Sequence, residues 1–185
     1  MTTPDRNYPP GDFSGRTAET FGALTLDPPL EGFGFDDIFK VSNCLGCKWG
    51  RVVVNAGRQR ENAQDLNRES CWNRFKELIA DAGGQGAILV KGGSSNNRWE
   101  RVLIRRVGGH TDIMIGGYSG QSKKTSLANH FERVERADGK PVRVAWTFLR
   151  AQRPTFGPTC KVRYQYFWSL VRTIAQEITY LFTKS

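Results

Sequence analysis

Ser122, Lys123 and Lys124 open the segment QSKKTSLANHFERVER, whose pattern predicts a helix. Lysines at a helix N-terminus oppose the helix dipole, so local stability does not account for them. Backbone N–H groups, the dipole and two ammonium groups converging on one spot suit an anion, and phosphate is the obvious one. A second candidate chemistry is Cys44-Leu45-Gly46-Cys47, which has the two-residue spacing of a zinc-binding thiolate pair. The second pair that zinc would need is missing, because Cys71, Cys160, His110 and His130 are scattered singly. Cys44 and Cys47 are therefore the only metal candidates, and no cofactor is expected. Hydrolase chemistry fares poorly. The chain has 2 histidines, no Gly-x-Ser-x-Gly elbow and no Gly-x4-Gly-Lys phosphate loop. Glu132 and Glu135 form a close carboxylate pair within the predicted helix, and their spacing suits a solvated helix face. The chain reads as a binder, not an enzyme.

The elements that would position Lys123 and Lys124 follow from periodicity. Leu66, Cys71, Phe75, Leu78, Ile79 and Ala82 give an apolar stripe at roughly helical spacing, and Gly83 and Gly84 stop it. GAILVKGG, RWERVLIRRVGG and TDIMIGGYSG each read as a strand running into glycine-rich chain. The predicted order over residues 61–136 is therefore α-β-β-β-α.

That order, with Gly116, Gly117 and Gly120 leading into Ser122-Lys123-Lys124, resembles the double-stranded RNA-binding domain family. The resemblance implies an α+β fold and a partner in duplex RNA. Such a domain spans about 16 base pairs, touching two minor grooves and the phosphates between them. It would set Lys123 and Lys124 on those phosphates, with Ser122 at the turn. Ser95, Asn96 and Asn97 in the first-to-second-strand loop would enter one minor groove. Asn67, Arg68 and Arg74 on the first helix would address the other. Leu127 stands where the family usually carries a third lysine, and the loop lacks the usual Gly-Pro-x-His.

Composition agrees with an anionic partner. The net charge is +9 and the isoelectric point about 9.7. Residues 1–40 net −4, leaving +13 on the remaining 145 residues. A body that basic attracts phosphate backbones with strong salt dependence. Residues 1–40, rich in Pro, Gly and acids, read as a disordered acidic tail or a docking segment for a protein partner. No apolar run is long enough to span a bilayer, and no signal peptide is visible, so a cytoplasmic protein off the membrane is expected.

Residues 140–185 add a β-β-α extension. KPVRVAWTFLRAQ and CKVRYQYFW read as strands, and SLVRTIAQEITYLF as an amphipathic helix. This unit would either dimerise the protein, take a protein partner or pack within the chain. Arg98, Arg101, Arg105, Arg106, Arg143, Arg150, Arg153, Lys161 and Arg163 crowd the strands among Trp99, Trp146, Tyr164 and Trp168. Such aromatics either stack on unpaired bases or pack the sheet. The expected function is masking of double-stranded RNA, as a viral suppressor of RNA silencing or of innate sensing would do. The alternative is a protein–protein adaptor.

Overall fold

A computed structural model describes residues 11–27, 37–55, 62–81, 86–106, 108–109, 111–116, 124–147 and 151–165. Its strands are β1 (Asp12–Ser14), β2 (Thr20–Phe21), β3 (Leu24–Leu26), β4 (Phe39–Ser42), β5 (Lys48–Val54), β6 (Asn62–Asn67), β7 (Arg74–Asp81) and β8 (Gly86–Val90). They continue as β9 (Arg98–Arg106), β10 (Ile113–Ile115), β11 (His130–Phe131), β12 (Val134–Arg136), β13 (Val142–Trp146), β14 (Thr155–Phe156) and β15 (Val162–Tyr164). No helix occurs among the described residues.

The chain winds as a parallel β-solenoid. One sheet, here sheet A, has the order β1-β4-β6-β8-β10-β13-β15. The other, sheet B, runs β14-β11-β9-β7-β5-β2, with β12 also on β9 and β3 on β5. Pairing between the named strands is parallel throughout. Lys48 aligns with Arg74, Arg74 with Arg98, and Arg98 with His130. The first two of these coils are nearly equal in length, and the third is longer.

Period-2 alternation fills the interior. In sheet A, Phe39, Gln64, Ile88, Ile113 and Val144 stand in register, as do Val41, Leu66, Val90, Ile115 and Trp146. In sheet B, equivalent positions carry Phe21, Trp49, Phe75, Trp99, Phe131 and Phe156. Neighbouring strands lie about 4.8 Å apart, so rings in register must stack. Consecutive ring centroids are 4.1, 5.9, 5.1, 4.4 and 5.3 Å apart. This aromatic column is the spine of the core.

A polar column runs beside it. Asn73, Asn97 and Asn129 each directly precede the first strand residue of their coil on sheet B. Asn97 Oδ1 accepts from the backbone N–H of Asn73 at 3.0 Å and from its Nδ2 at 3.1 Å. Asn97 Nδ2 donates to the Ser70 carbonyl at 2.8 Å and to Asn129 Oδ1 at 3.1 Å. Asn73 Oδ1 takes the Cys47 N–H at 3.1 Å. The ladder satisfies backbone groups that the turn between sheets withdraws from strand pairing.

This architecture overturns the α-β-β-β-α reading and with it the resemblance to the double-stranded RNA-binding domain. Residues 62–81 form β6, a turn and β7, not a helix. The apparent helical stripe draws on two sheets, with Leu66 facing inward from sheet A and Phe75 and Leu78 from sheet B. Its backbone pairs with neighbouring coils instead of with the next helical turn. Leu66 stands in register with Val41 and Val90, and Leu78 with Val52 and Val102. The second predicted helix is likewise turn and strand from Lys124 to Arg136. The strands expected at 86–90, 98–106 and 113–115 are present, but they alternate between two parallel sheets. In the C-terminal extension, β13 and β15 continue sheet A and β14 continues sheet B; the helix expected near its end lies outside the described residues.

Candidate nucleic-acid interface

The outer face of sheet B is a lattice of charges. Inward positions carry the aromatic and aliphatic columns, so alternation sends the polar residues outward. Lys48, Arg74 and Arg98 form one column in register, continued by His130. Arg51, Glu77 and Arg101 form another. With Lys76, Asp81, Glu100, Arg105, Arg106, Glu132, Arg133 and Glu135, the face holds nine cations against five carboxylates.

Much of this charge is paired across coils. Arg101 Nη1 lies 2.8 Å from Glu77 Oε1, and its Nη2 lies 3.2 Å from Glu135 Oε1. Arg51 reaches Glu77 at 3.0 Å, and Arg106 reaches Asp81 at 2.7 Å. Arg74 pairs with Glu100, and Arg98 with Glu132. Exposed pairs of this kind contribute little stability singly. Their structural effect is to hold long side chains in a regular array. Among the described residues, Lys48, Lys76 and Arg105 of this face form no ion pair.

The turn from sheet A into sheet B borders this array. Leu45, Trp72 and Leu127 are exposed there, Trp72 at 67%. Ala18, Gly46, Trp72, Asn96 and Ala128 occupy equivalent positions and all have positive φ, from 49° to 65°. Five successive turns therefore repeat one left-handed residue. Only Gly takes this conformation freely, and a bulky side chain there is an outlier.

The sequence-predicted site residues fall into three groups. Asn67, Asn97 and Ser95 are buried and serve the fold. Asn67 Nδ2 donates to Asp65 Oδ2 at 2.8 Å, and its Oδ1 accepts from Ser42. Ser95 Oγ donates to the Gly93 carbonyl at 2.9 Å and accepts the Leu127 N–H at 2.8 Å. Asn96, Arg68, Arg74 and Lys124 lie on the turn or the adjacent column, where a ligand could reach them. Lys124 pairs with Glu69 at the turn surface. Ser122 and Lys123 lie outside the described residues. The residues that sequence reading missed as a group are Lys48, Lys76 and Trp72. The signal was present as Asn-Arg-Phe, Asn-Arg-Trp and Asn-His-Phe at 73–75, 97–99 and 129–131, a repeat that aligns the coils.

Cys44 and Cys47 are fully buried in the same turn. Cys44 Sγ donates to the carbonyls of Phe13 and Ser42 at 3.5 and 3.4 Å. Burial pushes the Cys44 thiol up to about 11 and raises Cys47 as well. Metal binding needs thiolates, so this environment opposes it. No group of three or more metal-ligating side chains occurs among the described residues.

Two further buried polar groups stand apart from the charged face. Burial together with the Asp65 charge pushes Asp37 up to about 7; Asn62 donates to it from its backbone N–H and from Nδ2, both at 3.1 Å. Asp65 is sealed from solvent and pairs with Lys91 at 3.1 Å. Asp112 ties the start of β10 to β12 and β13. Burial would raise its pKa, but hydrogen bonds from Arg143 and Arg136 outweigh that and hold it below the usual carboxylate range. Arg136 Nη1 and Arg143 Nη2 each lie 2.7 Å from Asp112 Oδ1. These are internal ties, and neither presents a free carboxylate beside a basic partner at the surface. No family model, curated protein or solved structure matches the chain.

Proposed function

We propose that the protein is a non-enzymatic nucleic-acid binder that takes the phosphate backbone on the outer face of sheet B. The observation that carries this reading is the in-register column of Lys48, Arg74 and Arg98, with the unpaired Lys76 two residues beyond Arg74 on β7 and the unpaired Arg105 near the far end of β9. Cations aligned along a rigid face complement the negative charge of a polyanion. The ion-paired carboxylates keep the arginines extended, so less side-chain entropy is lost on binding. Contacts of this kind read backbone charge and shape, not base sequence.

Duplex RNA as the specific target rested on the α-β-β-β-α order that the solenoid replaces. The proposal of a polyanionic partner does not depend on those helices; it is argued from charge and register. The test is binding of the full chain to duplex RNA, duplex DNA and single-stranded RNA across a salt series. Lys48→Glu with Lys76→Glu and Arg105→Glu should weaken all three and flatten the salt dependence, by roughly 0.7–0.9 in log–log slope per lost phosphate contact. Wild-type and triple-variant curves that superimpose would refute the reading.

A further inference from the structure

We infer that Trp72 is a stacking platform for an unpaired base, so that the nucleic acid taken by this face is single-stranded at the turn. The inference rests on the phosphate-binding reading above and names the chemistry at its edge.

Four observations lead there. First, Trp72 is the most exposed of the large apolar side chains among the described residues, at 67%, whereas Trp49 and Trp99 are buried in the aromatic column. It makes no ring contact among the described residues. Second, its backbone sits at φ 62°. The left-handed conformation costs a residue with a Cβ about 1–2 kcal/mol. The neighbouring coils meet the same demand with small or amide side chains at Ala18, Gly46, Asn96 and Ala128. Folding therefore gains nothing evident from an indole at this position.

Third, the coil below offers no side chain to cover the ring. Gly46 occupies the equivalent place, and a Cβ built there would meet nothing within 4 Å. Fourth, the surroundings are cationic. Arg74 follows two residues later in register with Lys48 and Arg98, and exposed Arg68 begins the same turn. An isolated exposed ring beside a column of cations complements a ligand with planar faces and a regular negative charge. Single-stranded nucleic acid has both, while a duplex hides its base faces. A protein partner docking on Leu45, Trp72 and Leu127 would have no need of the cation column.

The test uses the full chain with three labelled probes: oligothymidylate of about 15 nucleotides, the same strand in a duplex, and heparin, a polyanion without bases. Trp72→Gly is the main variant, because glycine suits this backbone and the variant should melt no lower than wild type. Trp72→Phe keeps a ring. The expected result is a loss of roughly 5- to 100-fold for the single strand in Trp72→Gly. Trp72→Phe should retain most of the affinity, and heparin and duplex binding should be unchanged in both. Equal single-strand affinity in wild type and Trp72→Gly would overturn the inference and leave the phosphate reading standing. An equal loss on heparin would also overturn it, since heparin has no base to stack. Failure of the wild type to bind any probe would remove both readings.

Discussion

The indole Nε1 of Trp99 donates to Oε1 of Gln64 at 2.9 Å, tying β9 of sheet B to β6 of sheet A through the solenoid interior. Both side chains are fully buried. Among the described residues Gln64 Nε2 has no partner, and neither does the indole nitrogen of Trp49. Gln64→Leu would orphan the Trp99 N–H and at the same time remove the unpaired amide nitrogen. The net loss should be small, about 1 kcal/mol in urea unfolding. Trp99→Leu interrupts the aromatic column and opens a cavity, and should cost about 3 kcal/mol or more. A reversed order would mean that the cross-sheet bond outweighs the ring stack.

The neighbours Asn96 and Asn97 should behave very differently. Asn97 accepts twice from Asn73 and donates to Ser70 and Asn129, all in buried surroundings. Asn97→Ala strands several of these groups at once, and a loss of about 3 kcal/mol or more is expected. Asn96→Ala disturbs only a left-handed turn residue that asparagine tolerates well, and about 1 kcal/mol is expected. Thermal melts of the two variants, read side by side, check the contrast.

Asp37 gives stability a direction in pH. Its folded pKa of about 7 stands above the ordinary 3.8, so the folded state binds its proton more tightly than the unfolded chain does. Stability from this group is therefore full below about pH 4, is lost as pH rises toward about 7, and changes no further above that. Asp37→Asn keeps an acceptor for the Asn62 donors and cannot ionise. It should raise stability at pH 8 and flatten the pH 4–7 region. Asp112 works the other way. Its depressed pKa gives stability that is present above the ordinary carboxylate value and lost as pH falls below it. A urea-unfolding series from pH 3 to 8 on wild type and Asp37→Asn separates the two.

The four free cysteines should divide by burial. Cys71 and Cys160 are partly exposed, while Cys44 and Cys47 are buried with raised pKa values. A thiol reagent at neutral pH should label Cys71 and Cys160 first. Cys44 and Cys47 should react only on unfolding. Rapid labelling of all four in the native protein would contradict the packed turn.

By itself the sequence determined the local preferences. Alternation and β-branched residues marked β8, β9, β10, β13 and β15, and the excess of Lys and Arg set a net charge of +9. Those signals are short-range or additive, so no partner strand is needed to read them. Only the tertiary structure decided how the strands assemble. The stripe from Leu66 to Ala82 satisfies a helical period locally, yet Leu66 and Leu78 face one core from two sheets. Which of Asn96 and Asn97 is buried, and which cations share a column with Lys48, depends on the register between coils. That register is set by turns of unequal length, the coil from Arg98 to His130 being longer than the one from Arg74 to Arg98. Pairing over such separations leaves little trace in any short window of sequence. The inward column from Phe21 to Phe156 therefore becomes one continuous stack only once the coils are wound.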